Sequence, residues 1–304
     1  MSTNVLLWVI LLFLPDLQAA HKHIVCISLP KCGMHLFKKT ISKLGIPNLY
    51  AAYESPRLLL PTPHEQDLLT RLNRYDPPNH YKGLLYPPTV GPVQPSLLRG
   101  LSLSGRRLLL SHWPYTPEAE ALLDQRADAN FLIIRDPRAM LVSMAHMVTT
   151  SRDGQQAPVE ALMWDFIDGR QKHFIRWGVA IHNAYPVLWE LGVVRFYRLY
   201  LRWQQAKNFM TVRFEDLVGS AGGGSEAVQA ATIAAIAKHV GAHVSKEKIQ
   251  EVQQELFGGT ATFREGSIDG WKKYFTPAMK EAFKQAPGAN ELLIELGYEK
   301  NASW

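Results

Sequence analysis

The sequence predicts an α/β protein of three layers, with helices on both faces of a central parallel sheet. Three observations predict it. Short, continuously apolar runs recur along the chain, helical patterns separate them, and the runs lack the polar–apolar alternation of half-exposed strands. The chain has 304 residues, 47% hydrophobic and 20% charged. That composition excludes disordered, collagen-like and polytopic membrane classes. A length prior of roughly 100–200 residues per domain allows one large or two small domains.

The elements follow in order. Val5 to Leu14 form an apolar run of ten residues, against the roughly 20 that a spanning helix needs. It reads either as the core of a signal peptide, with Leu17-Gln18-Ala19-Ala20 as a cleavage region, or as an apolar helix packed on the domain or lying on a membrane. Met1-Ser2-Thr3-Asn4 carries no Lys or Arg. Residues 1–20 are therefore set apart as a signal- or anchor-like segment, with 21–304 as a single domain. Localisation stays open between the cytoplasm, a membrane tether and a secretory lumen. Asn301-Ala302-Ser303 is a glycosylation sequon with meaning only in that lumen.

His23 to Leu29 reads as the first buried strand. Gly33 to Leu44 is a helix with Phe37, Ile41 and Leu44 on one face and Gly45 as its stop. Residues 50–100 are rich in Pro and Tyr and read as an irregular, ordered segment. Arg107 to Ser111 is a second strand. Thr116-Pro117 opens a helix as cap and first residue. Asn130 to Ile134 is a third strand, and Asp136-Pro137 opens the next helix. Residues 160–205 read as helical and rich in aromatics. Phe209 to Phe214 is a fourth strand, followed by the Gly-rich loop Gly219–Ser225. Helices over Glu226–Val240 and Ser245–Phe257 come next, and a last one starts at Thr276-Pro277.

Charge and cysteines narrow the chemistry. Lys and Arg total 33 against 27 Asp and Glu, a formal charge of +6, which suits a polyanionic ligand. Cys26 and Cys32 are the only cysteines, which excludes a disulfide scaffold and a four-cysteine zinc site. No His, Cys and Asp stand at ligand spacing, so no metal is expected.

Four segments carry chemistry. The first strand runs into Pro30-Lys31-Cys32-Gly33-Met34-His35 and then a helix. Such a junction offers backbone N–H groups and a Lys to an anion. GxxxxGK[ST] is absent, which argues against a nucleoside-triphosphate loop and a kinase. Arg135 follows the third strand, at the edge where open α/β sheets bind ligands, and offers a bidentate fork to phosphate. Ser143 lies eight residues on. His112 ends the second strand and has the side-chain type of a general base. Phe263 to Thr276 is a basic, aromatic loop containing Arg264 and Gly266.

Together and in this order, the segments resemble the sulfotransferases that use 3′-phosphoadenosine 5′-phosphosulfate (PAPS), from about His23 to about Tyr298. Lys31–His35 is similar to the family's 5′-phosphosulfate loop, Pro-Lys-Ser-Gly-Thr-Thr or Pro-Lys-Ser-Gly-Thr-His. Arg135 and Ser143 match its 3′-phosphate motif, His112 its catalytic His, and Arg213-Phe214-Glu215-Asp216-Leu217 its Tyr-Glu-Asp-Leu strand end. Arg264 and Gly266 match Arg-Lys-Gly.

The resemblance implies a P-loop NTPase-like three-layer fold and sulfuryl transfer from PAPS to a hydroxyl or amine, without a metal. It makes His112 the base and Lys31 the group on the leaving oxygen. Lys31, Cys32, Gly33, Met34, His35, Arg135, Ser143, Phe214, Arg264 and Gly266 hold the nucleotide. A small molecule or glycan is the expected acceptor, and no nucleic acid is. Residues 5–14 are the candidate membrane contact, and 272–281, which partly match the family's dimer motif, the candidate homodimer contact.

The departures are Cys32 for Ser, Met34 for Thr, Leu36 for a Trp, Leu110 for Lys and Glu265 for Lys. Met34, Leu110 and Glu265 motivate a second reading, a catalytically impaired nucleotide-binding protein on the same fold.

Overall fold

The computed structural model describes residues 23–46, 49, 106–149, 156–169, 186–260 and 263–304. The apolar run at 5–14 and the Pro-rich segment at 50–100 lie outside the described residues.

Strand β1 (His23–Ser28) is buried at every position, as expected for a strand covered on both faces. Helix α1 (Met34–Lys43) buries Met34, Phe37 and Ile41, the i, i+3, i+7 stripe of an amphipathic helix. It ends before Gly45, whose φ of 67° is a conformation that costs glycine little. Strand β2 (Leu108–Ser111) follows. In α2 (Pro117–Arg126) the Thr116 side chain accepts from the Ala119 N–H. Strand β3 (Ala127–Ile134) begins three residues before the expected Asn130. Its opening Ala-Asp-Ala has weak strand propensity, but Ala127 and Ala129 are in register with His23 and Ile24 of β1, and tertiary pairing overrides propensity.

Helix α3 (Pro137–Met147) is capped by Asp136. Within the region read as helical, the described residues form α4 (Val159–Asp168), which stops at Gly169 in a left-handed conformation, and α5 (Pro186–Leu201), broken at Gly192. Strand β4 (Phe209–Arg213) leads into the short α6 (Phe214–Leu217), and α7 (Glu226–His239) and α8 (Lys246–Leu256) follow within a residue of their expected bounds. Thr276 caps α9 (Pro277–Gln285), and α10 (Ala289–Glu295) closes the chain. The segment 272–281 leaves Lys272, Lys273, Pro277, Ala278 and Glu281 exposed.

All strand pairs among the described residues are parallel, in the order β2-β1-β3-β4. The chain passes from β1 to β2 on one side and then crosses to β3 on the other. The order therefore reverses between β1 and β3, and a ligand crevice is expected beyond their carboxyl ends. Trp113, Trp203, Tyr197, Tyr200, Phe37, Phe131 and Phe166 are among the largest fully buried side chains. Trp203 stacks on Phe209 and donates to the Trp113 carbonyl, and it and Phe166 are buried in the core. Among the described residues, no helix is long and apolar enough to cross a membrane.

Candidate active site

The turn after β1 is where the backbone departs from ordinary conformations. Lys31 has φ 65° and Gly33 φ 106°. A left-handed non-glycine residue costs about 1–3 kcal/mol, and such strain collects at ligand sites. Successive turns of this kind build concave runs of backbone N–H that bind anions. Gly33 also opens α1 without a side-chain cap, and no acidic residue stands in that helix's first turn. The first-turn N–H groups thus lack a side-chain acceptor on their own segment, where the helix dipole favours an anion. Only glycine fits here, since a Cβ would lie 2.8 Å from Cδ2 of Phe214.

Phe214 links this turn to Arg135. The guanidinium lies 4.1 Å over the Phe214 ring. Its Nη1 donates to the Lys31 carbonyl at 3.3 Å and its Nη2 to the Ser267 carbonyl at 3.1 Å. Its Nε is buried without a hydrogen-bond partner among the described residues. Arg135 therefore ties the β1 turn to the 263–270 loop while retaining donor capacity, since a guanidinium has five N–H groups. The Tyr197 hydroxyl holds the backbone beneath it, accepting from the Arg135 N–H and donating to its carbonyl. Glu215 accepts from the Asp136 N–H at 2.9 Å and from the Tyr298 hydroxyl at 3.0 Å.

His112 is half-buried, with Nδ1 2.5 Å from the Ser28 carbonyl oxygen. A carbonyl only accepts, so this partner assigns the proton to Nδ1 and the lone pair of the neutral ring to Nε2. Burial is the main reason that its pKa falls to about 4, with His35 and Lys31 adding to the effect against the Ser28 bond. Burial also lowers the pKa of Lys31, helped by the charges of Arg135 and Arg264. The same cause lowers that of His35, with help from Lys31 and Lys38.

These groups border one cavity of about 240 Å³ at the carboxyl ends of β1, β2 and β3. Lys31, Gly33, Met34, His35, His112, Arg135, Ser143, Phe214, Arg264 and Gly266 all line it. Cys32 stands apart. Its side chain is fully buried, its N–H donates to the Leu29 carbonyl, and burial pushes its thiol pKa up. Leu110, where the resembled motif has Lys, packs against the core. Arg264 donates to the Tyr274 hydroxyl at 3.0 Å and pairs with Glu265 at 3.1 Å. Gly266 has φ 65°, and a Cβ there would lie 2.7 Å from Phe263. The two loops are joined where the Ile268 N–H donates to the Gly222 carbonyl.

Sequence reasoning missed the apolar wall. Leu256, Phe257, Phe263 and Trp271 line the same cavity. Phe257 and Phe263 meet edge to face at 5.3 Å and are about 40% exposed. The signal was the pair of aromatics flanking Gly258-Gly259, just past the end of a helix. Among the described residues, no cluster of His, Cys, Asp and Glu could hold a metal ion.

Comparison with known proteins bears on the family and the fold. The family model described as a sulfotransferase domain matches residues 21–291. A search of curated protein sequences gives no significant match. Among solved structures, the chain is similar to mouse sulfotransferase SULT7A1 complexed with PAP, at 14% identity and a TM-score of 0.58, over 94% of this chain and 91% of that one. It is also similar to retinol dehydratase in a complex with retinol and PAP, at 15% identity and a TM-score of 0.51, over 92% of this chain and 83% of that one.

Proposed function

The chain belongs to the sulfotransferase domain family, and from that premise we propose that it moves the sulfuryl group of PAPS to a hydroxyl or amine, with His112 as general base. One observation carries the reading. The left-handed turn at Lys31–Gly33, the Arg135 fork and the Nδ1-protonated His112 border the same cavity at the strand-order reversal.

The residues fit the nucleotide. The uncapped start of α1 would supply N–H groups for the 5′-phosphate, and Lys31 would supply the cation for the oxygen that bridges to sulfur. Arg135, Ser143 and Arg264 take the 3′-phosphate, for which the buried, partnerless Nε of Arg135 is a ready donor. Phe214 holds Arg135 flat, and Gly266 brings its loop over the cavity. Met34 and Leu36, each nearly buried, offer apolar contact where a hydroxyl and a Trp stand in the resembled motif.

Sulfuryl transfer resembles phosphoryl transfer: an in-line displacement driven by positioning and electrostatics. The acceptor oxygen or nitrogen forms a bond to sulfur as the bond from sulfur to the bridging oxygen breaks. The acceptor's proton passes to His112 Nε2. Lys31 stabilises the charge that develops on the bridging oxygen of the departing adenosine 3′,5′-bisphosphate. A small molecule or glycan is the acceptor class this family implies.

The test is calorimetric titration of the full chain with adenosine 3′,5′-bisphosphate, with ATP as control and Arg135→Ala beside wild type. Micromolar binding, about −8 kcal/mol, that is lost in Arg135→Ala supports the reading. Tighter binding of ATP than of the bisphosphate would overturn it. Arg264 already has a carboxylate partner, which favours the second reading, a nucleotide-binding protein of impaired catalysis. Bisphosphate binding without transfer from PAPS to any of a panel of acceptors would select it.

A further inference from the structure

We propose that Glu265 is a resident counter-anion on Arg264, which a nucleotide's 3′-phosphate must displace, and that this exchange sets how strongly the site discriminates for that phosphate. The inference rests on the nucleotide reading above and deepens it.

Both residues line the cavity. Among the described residues that line it, Glu265 is the acidic one, and Lys31, Arg135 and Arg264 are the Lys and Arg that share the lining. Its Oε1 lies 3.1 Å from Arg264 Nη1, 3.4 Å from the Tyr274 hydroxyl and 4.0 Å from Lys273 Nζ. Its Oε2 is buried and accepts no hydrogen bond among the described residues, and it would lie 2.9 Å from a Cβ built on Gly270. One half of the carboxylate is thus held by Arg264 while the other has lost water and gained nothing. A buried acceptor left unmade destabilises the arrangement, so the carboxylate is poised to leave when a better anion arrives.

A phosphate is that anion. It brings up to two charges and three acceptor oxygens to the same guanidinium fork. Lys273 gives the displaced carboxylate somewhere to go, since its ammonium is already 4.0 Å away and its side chain is 68% exposed. The Tyr274 hydroxyl touches both Arg264 and Glu265 and can follow either partner. A nucleotide without a 3′-phosphate cannot make the exchange, and it leaves the pair in place. The pair therefore sets the discrimination: only a nucleotide bearing a 3′-phosphate must open Arg264, and the cost of that opening lowers its advantage over one without it.

The test compares adenosine 3′,5′-bisphosphate with adenosine 5′-monophosphate on wild type, Glu265→Gln, Arg264→Ala and the double variant, by calorimetry. Thermal unfolding checks each fold. Glu265→Gln should tighten the bisphosphate about three- to tenfold and change the monophosphate by less than about twofold. The gain should vanish in the Arg264→Ala background, where there is no cation to release. Equal gains for both nucleotides, or a gain that persists without Arg264, would overturn the proposal. So would unchanged bisphosphate binding by Glu265→Gln beside a wild type that binds, and that result would leave the nucleotide reading intact. If wild type bound neither nucleotide, both readings would fall together. A crystal structure of wild type with the bisphosphate checks the exchange without any variant. Glu265 released from Arg264 supports it, and an intact pair with the 3′-phosphate held elsewhere refutes it.

Discussion

His112 is held by the strand next to its own: its Nδ1 lies 2.5 Å from the Ser28 carbonyl oxygen, where β1 ends beside β2. The bond fixes the ring's orientation and tautomer, while burial moves its pKa down to about 4. An unperturbed histidine titrates near 6.5, so this one stays neutral and able to accept a proton through mildly acidic pH. The acidic limb of kcat/KM, which reports the free enzyme, is expected near pH 4. A limb near 6.5 would refute the assignment, and His112→Ala should lower kcat by about 10²–10⁴-fold.

The same shift bears on stability. Between about pH 4 and 6.5 the unfolded chain holds a proton on His112 that the folded chain lacks. Acidification through that window therefore favours unfolding, and stability rises again as pH returns towards 6.5. The pH dependence of the thermal midpoint in this window should be shallower for His112→Asn than for wild type. Equal slopes would show that other groups account for it.

Two glycines of similar conformation separate strain from contact. Gly33 and Gly45 both have positive φ, so alanine at either is strained by about 1–2 kcal/mol. Among the described residues, a Cβ at Gly45 meets nothing within 4 Å, whereas one at Gly33 meets buried Phe214 at 2.8 Å. Thermal unfolding should place Gly33→Ala well below Gly45→Ala, and only Gly33→Ala should lose bisphosphate binding. Equal losses of stability would mean that the Phe214 contact relaxes freely.

Arg135 tests the difference between a charge and a shape. It spans two carbonyls, of Lys31 and Ser267, and lies flat on Phe214. A lysine keeps the charge but offers one point donor instead of a planar fork. Arg135→Lys is therefore expected to recover little of the bisphosphate affinity lost in Arg135→Ala, and to unfold at a lower temperature than wild type. Near-wild-type affinity in the lysine variant would show that charge alone suffices.

Much of this was legible in the residues. The strand ends and the Pro-led helix starts are local signals, because the side chains of Thr116, Asp136 and Thr276 accept from backbone N–H groups two or three residues on. The anion turn was legible for the same reason. What escaped depends on direction and distance. Cys32 belongs to the turn by sequence, yet its side chain points into the core, which spacing does not encode. The Arg264–Glu265 pair needed side-chain geometry, and the Phe257–Phe263 wall needed the fold of a whole loop. The start of β3 escaped because its pairing partner lies about a hundred residues away.

The long-range contact with the largest expected effect on stability is that of Arg138, whose side chain is only 2% exposed. Its Nε and Nη2 bind Asp136, and its Nη1 meets Glu299 at 2.5 Å. The guanidinium also lies 4.0 Å from the centroid of Trp271 and 4.5 Å from that of Trp304. The end of the chain is thus fastened to the helix that follows Arg135. Removing one partner of a buried ion pair costs about 3–5 kcal/mol, since the other charge is left uncompensated. Arg138→Ala should reach that range in urea unfolding. Trp304→Ala should lose less, because a cation–π contact contributes about 0.5–2 kcal/mol and Trp271 would remain. Glu299→Gln should lose least, since Asp136 still neutralises the arginine. Asp136 also caps α3 and adjoins Arg135, so Arg138→Ala should weaken bisphosphate binding while Glu299→Gln leaves it near wild type. A loss of under about 1 kcal/mol for Arg138→Ala would place the burden on the two tryptophans and make the ion pair incidental.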